Sequence, residues 1–139
     1  MLYKQFYTEV GKLLYALAGV DGTVSEEEVK LLHELVHKEL VPVEKNKDEY
    51  GTDAAYYVDF ELELMGETHP KPERAFESFI SFVEEHKTAI DERMILATRK
   101  VATKLTDANH QRNEKEKELL ARLNKKLNAL LKEQKAIVL

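Results

Sequence analysis

Five consecutive residues of this chain spell a hydrolytic centre. His33-Glu34-Leu35-Val36-His37 is the HExxH string of zinc metalloproteases. On a helix, residues four apart share a face, so His33 and His37 could hold one zinc ion while Glu34 polarises its water. Three features weigh against that chemistry. Lys38 and Glu39 follow at once, where the helix of such an enzyme is usually uncharged and then apolar. Glu34 falls opposite the apolar arc of its own helix, which turns it to solvent. A catalytic zinc also needs a third protein ligand, and the sequence does not choose among His69, His86, His110 and the downstream glutamates. The expectation is two histidines on the rim of an amphipathic helix, with a zinc hydrolase as the alternative.

A second cluster lies just upstream. In Ala18-Gly19-Val20-Asp21-Gly22-Thr23-Val24-Ser25-Glu26-Glu27-Glu28, the carboxylates of Asp21, Glu27 and Glu28 are hard oxygen donors suited to calcium or magnesium. The segment matches the second half of an EF-hand loop, with Asp21 at position 5, Gly22 at 6, Ser25 at 9 and Glu28 at 12. Positions 1 and 3 are then Leu17 and Gly19, which carry no carboxylate, so any cation held there is held weakly. Capping accounts for the same acids without an ion. Asp21-Gly22 makes a turn, Ser25 and Glu28 form a capping box, and Glu26 and Glu27 meet the positive end of the helix dipole.

The same residues carry a resemblance. An apolar helix, then Ala-x-x-Asp-Gly-x-Val-Ser-x-x-Glu over residues 18–28, then a second apolar helix, resembles the TerB tellurite-resistance family. It is also similar to the module found in membrane-anchored DnaJ-like cochaperones. The resemblance implies an all-helical bundle with two related halves. It also implies a stress-linked, non-enzymatic binding role for an acidic surface, with a divalent metal as one ligand. The second half departs from the pattern: Asn109-His110 stands where Asp-Gly would repeat, so the resemblance supports no second acidic site.

The elements that position these groups read as helices. Phe6, Val10, Leu13, Leu14 and Leu17 make one apolar face of a first helix from Leu2 to Gly19. A second follows Ser25 with Val29, Leu32, Leu35, Val36 and Leu40 inward, and Pro42 ends it. Residues 43–53 read as a loop. Residues 54–65 are ambiguous: Val58, Phe60, Leu62 and Leu64 alternate as in a strand, yet Ala54, Val58, Leu62 and Met65 fit a helix face. Helix is preferred, because a lone strand would have nothing to pair with. His69-Pro70-Lys71-Pro72 breaks the chain before a helix bearing Phe76, Phe79, Ile80 and Val83. Thr88 is expected to cap the next, with Ile90, Met94, Ala97, Val101 and Leu105 inward. Asn113 and Glu116 form a second cap pair before a helix striped by Leu119, Leu120, Leu123, Leu127, Leu130 and Leu131. That stripe faces the core, or alternatively pairs two copies as a coiled coil.

Helix, polar loop, cap pair and helix recur at a constant offset of 88 residues. Phe6, Leu13, Leu14, Leu17, Ser25, Glu28, Leu31, Leu32 and Leu35 map onto Met94, Val101, Ala102, Leu105, Asn113, Glu116, Leu119, Leu120 and Leu123. The expected fold is therefore an all-α bundle of about six to eight helices, built from two related hairpins in a single domain over 1–139.

Composition bounds what remains. The absence of cysteine removes disulfides, thiolate nucleophiles and thiolate metal sites. Ser25, Ser78 and Ser81 are the only serines, and none sits in a nucleophile elbow. There is no phosphate loop and no dinucleotide glycine signature. Tyr50, Tyr56 and Tyr57 are expected in the core or on its rim. No apolar run approaches the roughly 20 residues of a spanning helix, and the N-terminus lacks the pattern of a secretory signal. A cytoplasmic protein is expected. Residues 1–67 carry six basic and fifteen acidic side chains, net −9, while residues 107–139 carry eight and five, net +3. The acidic front half repels nucleic acid and suits cations or a basic protein partner. No aromatic residue is interleaved with the basic tail, which leaves single-strand stacking unsupported.

Overall fold

The computed structural model describes residues 2–20, 26–40, 54–108 and 114–138. Among them are six α-helices and no strand: α1 (Leu2–Gly19), α2 (Glu26–Leu35), α3 (Ala54–Thr68), α4 (Pro72–Glu85), α5 (Glu92–Ala108) and α6 (Glu114–Val138). A π-helical turn, Val36–Leu40, continues α2. The protein is thus an all-α bundle, and no described helix is long and apolar enough to cross a membrane.

The axis of the bundle is α1. Phe6, Tyr7, Val10, Leu13, Leu14, Ala16, Leu17 and Ala18 are all buried, which is the pattern of a helix covered on more than one side. α3 and α4 each pack extensively along it, and α5 and α6, packed on each other, also contact it. The approach of α3 depends on Gly11. A Cβ at that position would stand 2.9 Å from the Cβ of Glu61 and 3.2 Å from the carbonyl oxygen of Val58.

The ambiguous segment is helical because α3 has α1 to lie on. Val58, Leu62 and Met65 are buried, whereas Phe60 and Leu64 are exposed. A strand would have put Val58, Phe60, Leu62 and Leu64 on one face. α3 ends at His69, which adopts a left-handed φ of 49° and donates its backbone N–H to the carbonyl of Met65 at 2.8 Å. Pro72 opens α4 at its first position, as the His69–Pro72 break suggested.

One expected cap is corrected. Residues 86–90 form a turn, so α5 begins after Asp91 rather than after Thr88. The Asp91 carboxylate accepts the backbone N–H of Met94 at 2.8 Å, and the Asp91 carbonyl accepts that of Ile95 at 3.2 Å. That pair of bonds defines an N-cap. Ile90 and Ile95, the two positions a hydrophobic staple joins, are both buried. Ser25 and Asn113, the other proposed caps, lie outside the described residues.

The 88-residue echo is visible in burial. Leu13 and Val101, Leu14 and Ala102, Leu17 and Leu105, Leu32 and Leu120, and Leu35 and Leu123 are buried pair by pair, whereas Phe6 and Leu119 are buried opposite half-buried Met94 and Leu31. In α6, Leu119, Leu120, Leu123, Leu127 and Leu130 face the core, and Leu131 packs against it half-buried. Side chains then tie α6 to α4. Arg122 donates to Glu73 at 2.8 Å and to Glu77 at 2.9 Å, with its guanidinium 4.8 Å from the Phe76 ring centroid. The Glu73 bond, helped by Glu77, holds that guanidinium above its ordinary range.

Candidate functional site

The burial pattern of α2 sets the geometry of the HExxH string. Leu32, Leu35 and Val36 face the core. Glu34 is carried to the solvent side, as its place opposite the apolar arc requires, and His33 and His37 fall between. The helix widens into the π-helical turn at Val36, so His37 sits on different backbone from His33. Neither histidine faces Glu34 across a cleft.

Both meet a residue that the string does not contain. The Nδ1 of His33 lies 2.5 Å from Oδ1 of Asp59, and the Nε2 of His37 lies 3.0 Å from Oδ2 of the same carboxylate. Asp59 comes from α3, the helix beside the π-helical turn. A carboxylate only accepts, so each imidazole donates the nitrogen turned toward it. The lone pairs left over are on His33 Nε2 and His37 Nδ1, the nitrogens remote from Asp59. Zinc would have to displace both bound protons to use the facing pair. Among the described residues, no three His, Asp or Glu side chains form a group that could hold a metal ion. The arrangement ties two helices together through one carboxylate. The side chains of His33, His37 and Asp59 remain 35%, 59% and 27% exposed, so the tie sits at the surface.

Among the described residues, the other expected ligands do not join this cluster. Glu27 and Glu28 stand in the first turn of α2, Glu27 exposed and Glu28 half-buried. Asp21 lies outside the described residues, as does His110. His86 closes α4, with its Nδ1 donating to the carbonyl of Phe82 at 2.9 Å, and His69 occupies the α3–α4 break. Neither is brought to His33 and His37.

The sequence reading missed two carboxyls that the fold puts to use. Glu39, in the π-helical turn, is buried between Lys100 at 3.2 Å and Lys104. Its hydrogen bonds to Lys104 and then Lys100 hold the carboxyl below the usual range. Glu61 of α3 is buried against α1 at Gly11. Burial pushes its carboxyl above the usual range, nearby Glu9 adds to the shift, and Lys12 opposes it. The signal for Glu61 was its place on the helical face of Val58 and Met65, which the alternating acids obscured.

The face of α3 turned away from α1 is unusual in another way. Tyr56, Phe60 and Leu64 are 60%, 59% and 42% exposed. They stand four residues apart, so they form one stripe over two helical turns. Tyr56 therefore leaves the core and rim to which it was assigned, while Tyr57 is buried and meets the Tyr56 ring edge-on at 5.9 Å. Tyr50 lies outside the described residues. Glu63 and Glu67 are exposed within the stripe and Asp59 borders it. α3 contains Asp59, Glu61, Glu63 and Glu67 and no lysine or arginine.

Compared with protein-family models, curated proteins and solved structures, the chain matches none.

Proposed function

We propose that this chain is a small, acidic, non-enzymatic binding module, in keeping with its resemblance to the TerB family, and that it works through a surface rather than a cleft. The observation that carries the reading is the exposed stripe of Tyr56, Phe60 and Leu64 on α3. Scattered apolar side chains on a surface need no explanation, but three in register on one helix mark a contact site. The hydrolase alternative lacks comparable support. Its general base, Glu34, is exposed, and among the described residues no third side chain joins the two histidines in a group that could hold a metal ion.

Complementation tests the reading. A host lacking the gene is challenged with tellurite and rescued with the parent chain, with Glu34→Gln, or with Phe60→Ser combined with Leu64→Ser. All substituted positions are exposed, so folding should survive. The α3 variant is expected to fail and Glu34→Gln to rescue. The reverse pattern would favour the hydrolase and overturn the binding reading.

A further inference from the structure

We propose that the outward face of α3 binds a cationic amphipathic helix of a partner protein, with Tyr56, Phe60 and Leu64 as the anchors. This deepens the binding reading above and rests on it. The anchors lie eight steps apart end to end, about 12 Å of helix at 1.5 Å per residue, which matches two turns of a partner lying alongside. Anchors at i, i+4 and i+8 are the spacing by which one helix reads another. Among the described residues there is no sheet edge to which an extended peptide could add.

Charge decides the class of partner. Glu63 and Glu67 are exposed on the stripe, and Asp59 lies at its border. Lys4 of α1 places its Nζ 5.7 Å from the ring centroid of buried Tyr57, which is not part of the stripe. The face is therefore apolar and acidic together. It repels anionic lipid and nucleic acid, and it attracts lysine and arginine flanking apolar anchors.

A second copy of this chain fits less well. The most basic element is α6, with seven Lys and Arg against four Glu. Among its described side chains, the exposed positions offer Lys115, Lys117, Lys125 and Lys132, with Ala121 and Ala129 as the only exposed apolar residues. Arg122 and Lys126 are already paired with acids of α4. The face of α6 has the charge without the anchors.

The test uses the full chain and a labelled helical peptide of leucine and lysine patterned so that the leucines form one face. Three comparisons accompany it: the same composition scrambled, the same pattern with glutamate for lysine, and vesicles containing phosphatidylglycerol. Fluorescence anisotropy should show saturable binding of the patterned cationic peptide alone. Phe60→Ser with Leu64→Ser should weaken it by about tenfold or more, as loss of central anchors does. Glu63→Gln with Glu67→Gln should weaken it several-fold and flatten its salt dependence. Circular dichroism and the thermal midpoint should match the parent in both variants. Equal binding of the scrambled or acidic peptide, insensitivity to the α3 substitutions, or vesicle binding that depends on Phe60 would overturn the proposal. If the peptide fails while the α3 variant still fails complementation, the face binds a different partner class. If the α3 variant complements, the binding reading itself falls.

Discussion

Replacing Gly11 by alanine tests the contact on which the position of α3 depends. The new Cβ would stand 2.9 Å from the Cβ of Glu61 and 3.2 Å from the carbonyl oxygen of Val58. Neither obstacle can swing aside: one is fixed to the backbone and the other is backbone. Relief requires α3 to back away from α1, and overpacking of that kind costs about 1–3 kcal/mol. Alanine gains about 1 kcal/mol of helix propensity over glycine, which offsets part of it. The net expectation is a loss of about 0–2 kcal/mol, or a thermal midpoint lower by up to roughly 8 °C in a chain of this length. Gly66 supplies the control. It is exposed on α3 and a Cβ there meets nothing within 4 Å. Gly66→Ala should therefore stabilise by about 0.5–1 kcal/mol. Urea denaturation followed by circular dichroism compares both variants with the parent. Stabilisation of the Gly11→Ala chain, by as much as Gly66→Ala gives, would refute the close approach of α1 and α3.

Two carboxyls should give pH dependences of opposite sign. Burial raises the Glu61 carboxyl, so its folded form holds the proton more tightly than the unfolded chain; stability is full below the ordinary carboxyl range and falls as pH rises through it. Glu61→Gln should accordingly be more stable than the parent at neutral pH, the gap closing on acidification, as urea midpoints at the two pH values would show. Lys104 and Lys100 lower the Glu39 carboxyl, so its contribution is present above the ordinary range and lost as pH falls through the depressed value. Glu39→Gln should be less stable than the parent at neutral pH and equal to it in acid. Asp91→Ala removes the cap of α5 and should cost about 0.5–2 kcal/mol, read as a lower urea midpoint. Asp59→Ala frees both imidazoles at a partly exposed site, where each lost pair contributes about 0.2–1 kcal/mol, and it should alter the histidine ring signals in NMR spectra while leaving the helical content unchanged.

Most of the fold was legible because helical periodicity is strong where a helix has one buried face. The first helix, the Pro72 start and the leucine stripe of α6 all follow from apolar residues three and four apart. The errors have separate physical causes. Thr88 looked like a cap because its hydroxyl precedes an apolar run, but the turn at residues 86–90 carries the chain three residues further, and Asp91 offers the stronger acceptor. Tyr56 and Tyr57 are neighbours of one type, and only the phase of α3 on α1 decides which is buried. That phase could be suspected from Val58, Leu62 and Met65, yet the alternating acids at 59, 61 and 63 hid it.

The HExxH string shows why a local motif underdetermines its chemistry. Spacing places two imidazoles on one side of a helix, and nothing within the five residues says what will face them. Here the facing group is a carboxylate from a helix more than twenty residues later in the chain, brought there because Gly11 lets α3 settle against α1. Once Asp59 accepts from both rings, their protonated nitrogens point at its carboxylate on the surface, and Glu34 stays in solvent. The same placement turns Tyr56, Phe60 and Leu64 outward, because the residues that reach inward from α3 are fixed by that contact. One helix-on-helix approach therefore governs both results: the histidine pair is engaged by Asp59, and the apolar stripe is turned to solvent.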